Sequence, residues 1–460
     1  MARRHLASVA RSLARRGQQS TQPALNRQLR RFVAGELRWL QPIVAKSAAE
    51  TKADRYRKHF RAFSHACLLI FHGLSRAESL HQSYAAFASC QGLVALSGLA
   101  VPEAQTANPS VRDDQADQRL GVSYSQFAAS NSSRPAAFLA GLIPALVLRV
   151  RQAGRLASAG FPPELHLFDS TFLRLSLVLS PWLPSTGPSD IPGVRLHIQY
   201  APTLDLPEHV LVSDTQTTDR KGFDQAVLDD PTRLARLRGH TLAIDLGYYG
   251  HVRFARLRAA LVHFVSRLLP QASYQVEQDL PIQQPLPGLY PERIRVLSDQ
   301  RITLGSSANS QGTVLVGLRL VTAEVAPLAK AARRGAKTVR YQIITDRWNL
   351  SAADVVQLYL WRWQIELFLR WLKSHVHLPR LLGYSPNAVA LTVWLAVVVH
   401  LLTILAASAL GWARRSPTLL SLLPWALAHL TAQDQEDLIA LPSQLPLPML
   451  DCPQISPAPT

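Results

Sequence analysis

Apolar side chains recur with a helical period through the first part of the chain. In the segment 55–74 they lie three or four residues apart, at Phe60, Phe63, Cys67, Leu68 and Phe71. The polar stretch 102–118 predicts a loop, and Ser123 precedes the next helical segment as a candidate N-cap. We therefore predict that residues 1–150 are mostly helical.

The helical period gives way to alternating and β-branched apolar residues after residue 164. This pattern predicts successive strands, which we place at 164–180, 194–204, 209–215 and 241–249. Helices are predicted at 220–238 and at 251–269, the second amphipathic and basic. Strands and helices in alternation predict an α/β fold class.

Further strands and two apolar helices are predicted in the last third of the chain. Residues 272–345 have strand character, and 351–376 predicts one helix with Ser351 as N-cap and Asp354 in a capping-box role. The segment 388–410 is apolar and long enough to cross a bilayer. Because no second segment like it exists, we expect a buried core helix there and no membrane partner.

The composition is that of a folded protein with more than one domain. The 460 residues are 48% hydrophobic and 17% charged, and a domain usually takes roughly 100–200 residues. The three cysteines, Cys67, Cys90 and Cys452, form no CxxC pair. A structural zinc site and a disulfide framework are therefore not expected, which favours the cytoplasm.

The charge balance favours a polyanionic partner. Lys and Arg number 49 against 31 Asp and Glu, a net charge of +18. The first 35 residues hold eight arginines and no acid, a pattern typical of a DNA-binding arm or of a transit peptide. Basic residues continue to Arg61, which favours the arm. Its candidate DNA contacts are Arg27, Arg30, Arg31, Arg55, Arg57 and Lys58.

Three acidic residues occupy positions from which a metal site could be built. Asp169 closes the apolar run LHLF, Asp245 closes TLAI, and Glu366 lies within the late helix. Carboxylates at strand ends can meet at one edge of a sheet. Divalent cations take such oxygen ligands, and two cations together can catalyse cleavage of a phosphodiester.

The late helix predicts that cations lie beside Glu366. On an ideal helix, Tyr359, Arg362, Glu366 and Lys373 fall within an arc of roughly 60°. An acid at a strand end is nevertheless most often a turn or helix cap, and a Glu with Arg four residues before it is most often a surface ion pair. Spacing alone does not choose between the three acids above and three others: Asp214, Asp219 and Asp346.

A resemblance resolves this choice. The string YLWRWQIELFLRWLK fits Y-x2-R-x3-E-x6-K at Tyr359, Arg362, Glu366 and Lys373. With LFDSTFLRLS and AIDLGYYG in the right order before it, the chain resembles DDE transposases of bacterial insertion sequences, in the insertion sequence 4 family. The resemblance covers roughly residues 50–410.

The resemblance implies an RNase H-like catalytic core interrupted by a β-rich insertion and preceded by a basic helical region. It implies Asp169, Asp245 and Glu366 as catalytic ligands of two Mg²⁺ ions, with Mn²⁺ as a substitute. The implied DNA contacts are Tyr359, Arg362 and Lys373. The residues after Asp245 depart from the family, which often has a more polar residue beside the aspartate and another acid further on. Trp348 is only a weak candidate for stacking on a flipped base.

The reaction and the domains follow from the same resemblance. The chain would bind terminal inverted repeats, cleave the ends and join them to target DNA, with a hairpin as one route, as a homodimer on paired ends near the bacterial nucleoid. The expected domains are 1–150 (helical, DNA-binding), 160–271 (first part of the core), 272–345 (β-rich insertion), 346–411 (last part of the core) and 412–460 (a helix and a Pro-rich tail).

Two other functions stay open at this point. An RNase H-like nuclease or a domesticated DNA-binding protein would keep the fold without transposition. A membrane-associated basic protein would use the segment 388–410 and the arginine-rich arm. A strand-transfer assay separates the first alternative from a transposase, and carbonate extraction separates the second.

Overall fold

A computed structural model describes most of the chain. The described residues are 22–75, 77–99, 120–153, 161–162, 164–183, 192–282, 293–305, 313–327, 333–335, 337–376, 378, 380–413, 415–431 and 433–434. The predicted loop 102–118 and the Pro-rich tail lie outside them. The chain forms two compact units, which are described separately. A helical unit comprises 1–156, 178–182 and 371–460, and a sheet unit comprises 157–177 and 183–370.

In the described part of the chain, strands appear only after seven helices. The helices are α1 (Gln22–Glu50), α2 (Ala62–Leu74), α3 (Leu80–Ala88), α4 (Gln91–Ser97), α5 (Tyr124–Ser133), α6 (Ala137–Ala140), α7 (Ile143–Ala153), α8 (Asp219–Phe223), α9 (Pro231–Arg236), α10 (His251–Ala259), α11 (Ala352–Trp361), α12 (Trp363–Ser374), α13 (Pro386–Leu410) and α14 (Pro417–Ala428). The strands are β1 (Leu165–Arg174), β2 (Gly193–Ala201), β3 (Leu206–Asp214), β4 (Thr241–Ile244), β5 (His263–Arg267), β6 (Tyr274–Asp279), β7 (Ile294–Leu304), β8 (Leu315–Val325) and β9 (Val339–Thr345).

The described strands of the sheet unit form one sheet, in the order β3-β2-β1-β4-β5-β9-β8-β7-β6. Strands β1, β4 and β5 are parallel, and β2 and β3 continue antiparallel from β1. Strand β9 pairs antiparallel with β5. The sheet then continues through β8, β7 and β6, each antiparallel to its neighbour. The fold is therefore mixed α/β around a large sheet, as predicted.

The parallel centre of the sheet is apolar because helices cover it. Phe168 and Ile244 are fully buried and form one cluster with Phe223, Phe254 and Phe264. Phe254 of α10 stacks on Phe264 of β5, with ring centroids 4.3 Å apart. Such burial on both faces explains the near-continuous apolar runs of β1, β4 and β5.

The prediction of one helix over 251–269 is wrong. Helix α10 ends at Ala259, and Leu261 turns the chain with a φ of 59° before β5 begins. Val262, Phe264 and Val265 are fully buried. Consecutive buried positions suit a central parallel strand better than an amphipathic helix, and β5 accordingly lies beside β4.

The predicted helix 351–376 is two helices. Helix α11 begins at the predicted capping box, in which the Ser351 hydroxyl accepts from Asp354 N–H and the Asp354 carboxylate accepts from Ser351 N–H. Arg362 separates α11 from α12. Its N–H bonds Tyr359 C=O at 3.0 Å, and Ile365 N–H bonds its C=O at 3.1 Å, so the backbone tightens to i→i+3 bonds there.

The long apolar helix of the helical unit is buried. In α13, 89% of the most apolar stretch lies inside the protein, although its length and composition would also suit a membrane span. Helix α2 approaches it closely, since a Cβ on Gly73 would lie 2.8 Å from a methyl carbon of Val399. The predicted core helix at 388–410 is confirmed. The predicted Ser123 cap is confirmed as well, in a capping box with Gln126.

Candidate active site

Strand register places two of the predicted acids side by side. Phe168 of β1 and Ile244 of β4 are partners in the parallel pairing. The next residue after each of them is an aspartate, so Asp169 and Asp245 are level with each other. Asp245 follows the last residue of β4, whereas Asp169 lies within β1, which continues to Arg174 beside β2. Their side chains are 22% and 42% exposed, which leaves both carboxylates open to a ligand.

Glu366 lies near the two aspartates because all three acids contact Arg362. The Arg362 guanidinium lies 2.7 Å from Glu366 Oε1, 3.7 Å from Asp169 Oδ2 and 3.7 Å from Asp245 Oδ1. Arg362 is mostly buried, and its Nε has no hydrogen-bond partner among the described residues. Three acids that are distant in the chain therefore surround a single cation.

Tyr359 fixes one of these acids from the preceding helical turn. Its hydroxyl donates to Asp245 Oδ1 at 3.1 Å, and the Arg362 guanidinium lies 5.8 Å from its ring centroid. Burial raises the pKa of Tyr359, and the Asp245 carboxylate raises it further. The hydroxyl therefore stays protonated at neutral pH and acts as a donor.

The electrostatics show that the carboxylates repel one another. Burial raises the pKa of Asp169 to about 6, and the charges of Asp245 and Glu366 add to this. The Ser170 N–H and Arg362 act in the opposite direction. Burial alone would lower the pKa of Arg362, but Asp245 and Glu366 hold it above its ordinary value. The cluster thus requires positive charge, which Arg362 supplies.

The donor set has the chemistry of a divalent-cation site. Three carboxylates offer the oxygen ligands that hard cations take. Burial is the main cause of the raised pKa of Asp169, and the charges of the other two carboxylates contribute less. Among the described residues, no three His, Cys, Asp or Glu side chains are arranged to share one ion. The acids instead converge on the guanidinium of Arg362.

The three competing acids have other partners. Asp214 accepts from the N–H groups of Gln216 and Thr217, as turn aspartates do. Asp346 accepts from Phe264 N–H and pairs with His263. Their local roles agree with the turn and cap functions that are most common for such residues.

Asp219 belongs to a polar cluster beside Asp169 that the sequence did not predict. It accepts from the Ser170 hydroxyl and pairs with Arg195 at 2.5 Å. Tyr248, whose ring centroid lies 5.3 Å from that of Phe168, is buried close to the charge of Asp169. The sequence signal for Tyr248 was its position three residues after Asp245.

The other residues predicted to contact DNA differ in their exposure and in their partners within the protein. Lys373 is exposed on the last turn of α12. Trp348 is 44% exposed and lies under Arg301, with the guanidinium 5.5 Å from its ring centroid. Arg30 pairs with Asp434 at 2.8 Å, and Arg57 donates to two serine hydroxyls, so these two cations already have partners in the protein.

Residues 160–402 match the family model described as Transposase DDE domain. The chain belongs to this family. As a member, it is a DDE transposase, an enzyme that cleaves DNA with divalent metal ions.

Two curated proteins are similar to this DDE transposase. Transposase y4zB of Sinorhizobium fredii (strain NBRC 101917 / NGR234) is 26% identical over 308 residues, 66% of this chain and 77% of that protein. A Geobacillus stearothermophilus protein named as a transposase for insertion sequence element IS5377 is 24% identical over 249 residues, 53% of this chain and 57% of that protein.

A solved structure is also similar. It is the cryo-EM synaptic complex of piggyBac transposase with hairpin DNA, which is 11% identical and has a TM-score of 0.37. The match covers 90% of this chain and 82% of that chain.

Proposed function

We propose that this DDE transposase binds the terminal inverted repeats of its insertion sequence, cleaves the ends and joins them to target DNA on an RNase H-like core. The order β3-β2-β1-β4-β5, with antiparallel hairpins on one side of a parallel centre, supports this core. The strands in 272–345 are its β-rich insertion, and the Y-x2-R-x3-E-x6-K string supports the insertion sequence 4 family.

The convergence of three distant acids on one guanidinium carries the proposal. Asp169, Asp245 and Glu366 would hold two Mg²⁺ ions, for which Mn²⁺ would substitute. Bound there, such ions would neutralise charge at the phosphodiester and at the attacking and leaving oxygens. Tyr359 orients the Asp245 carboxylate, and the sheet register keeps Asp169 level with it.

The cations of the signature neutralise DNA phosphates. Arg362 has a planar fork suited to phosphate, and its partly unbonded guanidinium already lies at the acids. If divalent ions occupied the place of Arg362 among the carboxylates, its guanidinium would be available to a phosphate of the DNA backbone. Lys373, exposed on α12, contacts the transposon end, and the buried Tyr359 supports this end of the site through its hydrogen bond to Asp245.

The reaction proceeds through a hairpin and uses two copies of the protein. Water attacks the phosphodiester at the transposon end and frees a 3′-OH. This 3′-OH attacks the opposite strand, which forms a hairpin and releases the flanking DNA. A second water opens the hairpin and regenerates the 3′-OH, which then attacks a target phosphodiester and releases a target 3′-OH. Two copies act together on paired ends, in the cytoplasm at the nucleoid.

End cleavage and strand transfer test the proposal. Duplexes carrying the inverted repeats that flank the coding frame are incubated with protein and Mg²⁺. Asp169→Asn, Asp245→Asn and Glu366→Gln should each abolish cleavage and leave binding of the duplex intact. Glu324→Gln is the control, because Glu324 pairs only with surface Arg295 among the described residues. Cleavage by all four variants at the wild-type rate, or cleavage without strand transfer, would refute the proposal.

A further inference from the structure

The turn between α1 and α2 concentrates positive charge. Residues 51–61 read TKADRYRKHFR, with five Lys or Arg residues and one acid. At its centre, Tyr56 is 88% exposed. Tyr56 and Lys52 have φ values of 65° and 55°, in the left-handed region that side chains other than glycine rarely adopt. The turn therefore holds a large aromatic ring in water, in an unfavourable backbone conformation.

A buried arginine holds this turn in place. Arg134 is fully buried, donates to the Phe60 and Ala53 carbonyl oxygens, and pairs with Asp54 at 3.5 Å. Asp54 also accepts from Ala62 N–H at 2.7 Å. The only acid of the turn, whose side chain is 33% exposed, is therefore paired with Arg134 and the Ala62 N–H rather than with an outer cation.

The outer cations face solvent. Lys52, Arg55, Lys58 and Arg61 are exposed, and none has a carboxylate partner within the described part of the chain. The fifth cation, Arg57, differs, because it donates to the hydroxyls of Ser130 and Ser133 at 2.8 Å each. The side chain of Arg55 lies over the Tyr56 ring, 4.8 Å from its centroid.

We propose that the turn 51–61 is a preformed contact for duplex DNA. Lys52, Arg55, Lys58 and Arg61 neutralise phosphates, and Tyr56 packs on a sugar or base between them. The inference rests on the proposed function, which supplies DNA as the substrate, and adds the element that docks it.

The chemistry of the turn favours duplex DNA over other polyanions. Cations without carboxylate partners suit a partner of high charge density, and duplex DNA carries one phosphate charge per ~3.4 Å of helix axis on each strand. Single-stranded DNA is typically held by several aromatic rings on which successive bases stack. This turn presents one exposed ring, which suits a single contact in a groove.

Salt-dependent DNA binding tests the charged side chains. The full-length protein is titrated with a fluorescent duplex carrying the flanking inverted repeat, and with a scrambled duplex, at several salt concentrations. Lys52→Gln, Arg55→Gln, Lys58→Gln and Arg61→Gln should each reduce the slope of log K against log salt by about 0.9, the value for one lost phosphate contact. Lys46→Gln is the matched control, since this exposed cation of α1 pairs with Glu50 and should leave the slope unchanged.

Tyr56 is tested by a substitution that suits the backbone. Gly accepts a φ of 65° without strain, so Tyr56→Gly should keep or raise the thermal unfolding temperature. It should also weaken binding of both duplexes about 10-fold without changing the salt slope. Tyr56→Phe, which keeps the ring, should bind like the wild type.

The binding results distinguish failure of the proposed turn contact from failure of the proposed function. If the wild type binds both duplexes with salt dependence while all the turn variants match it, the turn is not a DNA contact and the transposase proposal stands. If Tyr56→Gly binds both duplexes like the wild type, the proposed contact of Tyr56 with duplex DNA is wrong. If the wild type binds neither duplex, the proposed function fails and the turn proposal fails with it.

Discussion

The hydroxyl of Tyr359 donates a hydrogen bond of 3.1 Å to Asp245 Oδ1 across a separation of 114 residues. Strand β4 ends just before Asp245, and helix α11 presents Tyr359 to it. Because Tyr359 is buried and protonated, this bond fixes the carboxylate in one orientation. The pair shows how the late helix organises the acids at the sheet edge.

Tyr359→Phe should therefore weaken the site and leave the fold intact. The ring contacts with Arg362 and Tyr341 remain, and only the donor to Asp245 is lost. We expect a loss of about 1 kcal/mol in the free energy of unfolding, with a several-fold lower rate of end cleavage. Urea denaturation and a cleavage assay check this. Wild-type values in both assays would show that the hydrogen bond has no effect.

Arg362→Gln should make the protein depend on divalent ions for stability. Without the guanidinium, the three carboxylates face each other uncompensated, and we expect a loss of about 1–3 kcal/mol at neutral pH. Adding Ca²⁺ or Mg²⁺ should raise the melting temperature of the variant more than that of the wild type, because the ion no longer competes with Arg362.

Arg362→Lys is the control for charge. It keeps one positive charge but loses the planar fork, so it should recover part of the stability without added ions. Thermal melts of the wild type, Arg362→Gln and Arg362→Lys, each with and without Ca²⁺ or Mg²⁺, measure these differences in stability. An equal gain in melting temperature for the wild type and Arg362→Gln would show that guanidinium and ion do not compete.

Asp169→Asn should stabilise the protein at neutral pH. Burial raises the pKa of Asp169 in the folded state to about 6, from 3.8 in the unfolded chain. Its protonated form therefore favours folding below about pH 4, and this contribution is lost as the pH rises through 6. At pH 7 the charged carboxylate opposes folding by about 2–3 kcal/mol, which asparagine avoids.

Chemical denaturation at several pH values tests whether Asp169→Asn is more stable than the wild type at neutral pH. The difference in unfolding free energy between Asp169→Asn and the wild type should grow between pH 4 and pH 7 and then level off. A variant that is less stable than the wild type at pH 7 would show that the Arg362 ion pair outweighs burial.

The sequence indicated the acids as candidates but not their surroundings. Asp169 and Asp245 each follow a short apolar run, and this pattern is local. Their alignment depends on the parallel pairing of β1 with β4, which brings together segments far apart in the chain. The helical signature similarly placed Arg362 near Glu366, but the break at Arg362 and its contacts with two aspartates are tertiary features.

The sequence pattern gave the wrong secondary structure where a short apolar run was compatible with either a helix or a strand. Residues 251–269 have a helical period in their first half, and the strand β5 became evident only through its burial between β4 and β9. The role of Arg134 was equally hidden, because no spacing in the sequence connects it to the turn that it supports.

The buried ion pair between Asp299 and Arg319 provides a last test, on the strands that extend the sheet. Arg319 Nη2 lies 2.6 Å from Asp299 Oδ2, and both side chains are at most 5% exposed. Arg319 Nη1 also donates to Leu350 C=O at 2.6 Å, just before the start of α11. The pair thus connects β7 and β8 to the segment that leads to Tyr359.

Asp299→Ala should destabilise the protein by about 3–5 kcal/mol, because it leaves the Arg319 charge buried and unpaired. The double variant Asp299→Leu with Arg319→Leu removes both charges and should lose less than Asp299→Ala alone. Chemical denaturation of the two variants and the wild type measures the difference. If the double variant is the less stable one, the hydrogen bond from Arg319 to Leu350 matters more than the ion pair, and the segment before α11 depends on that bond.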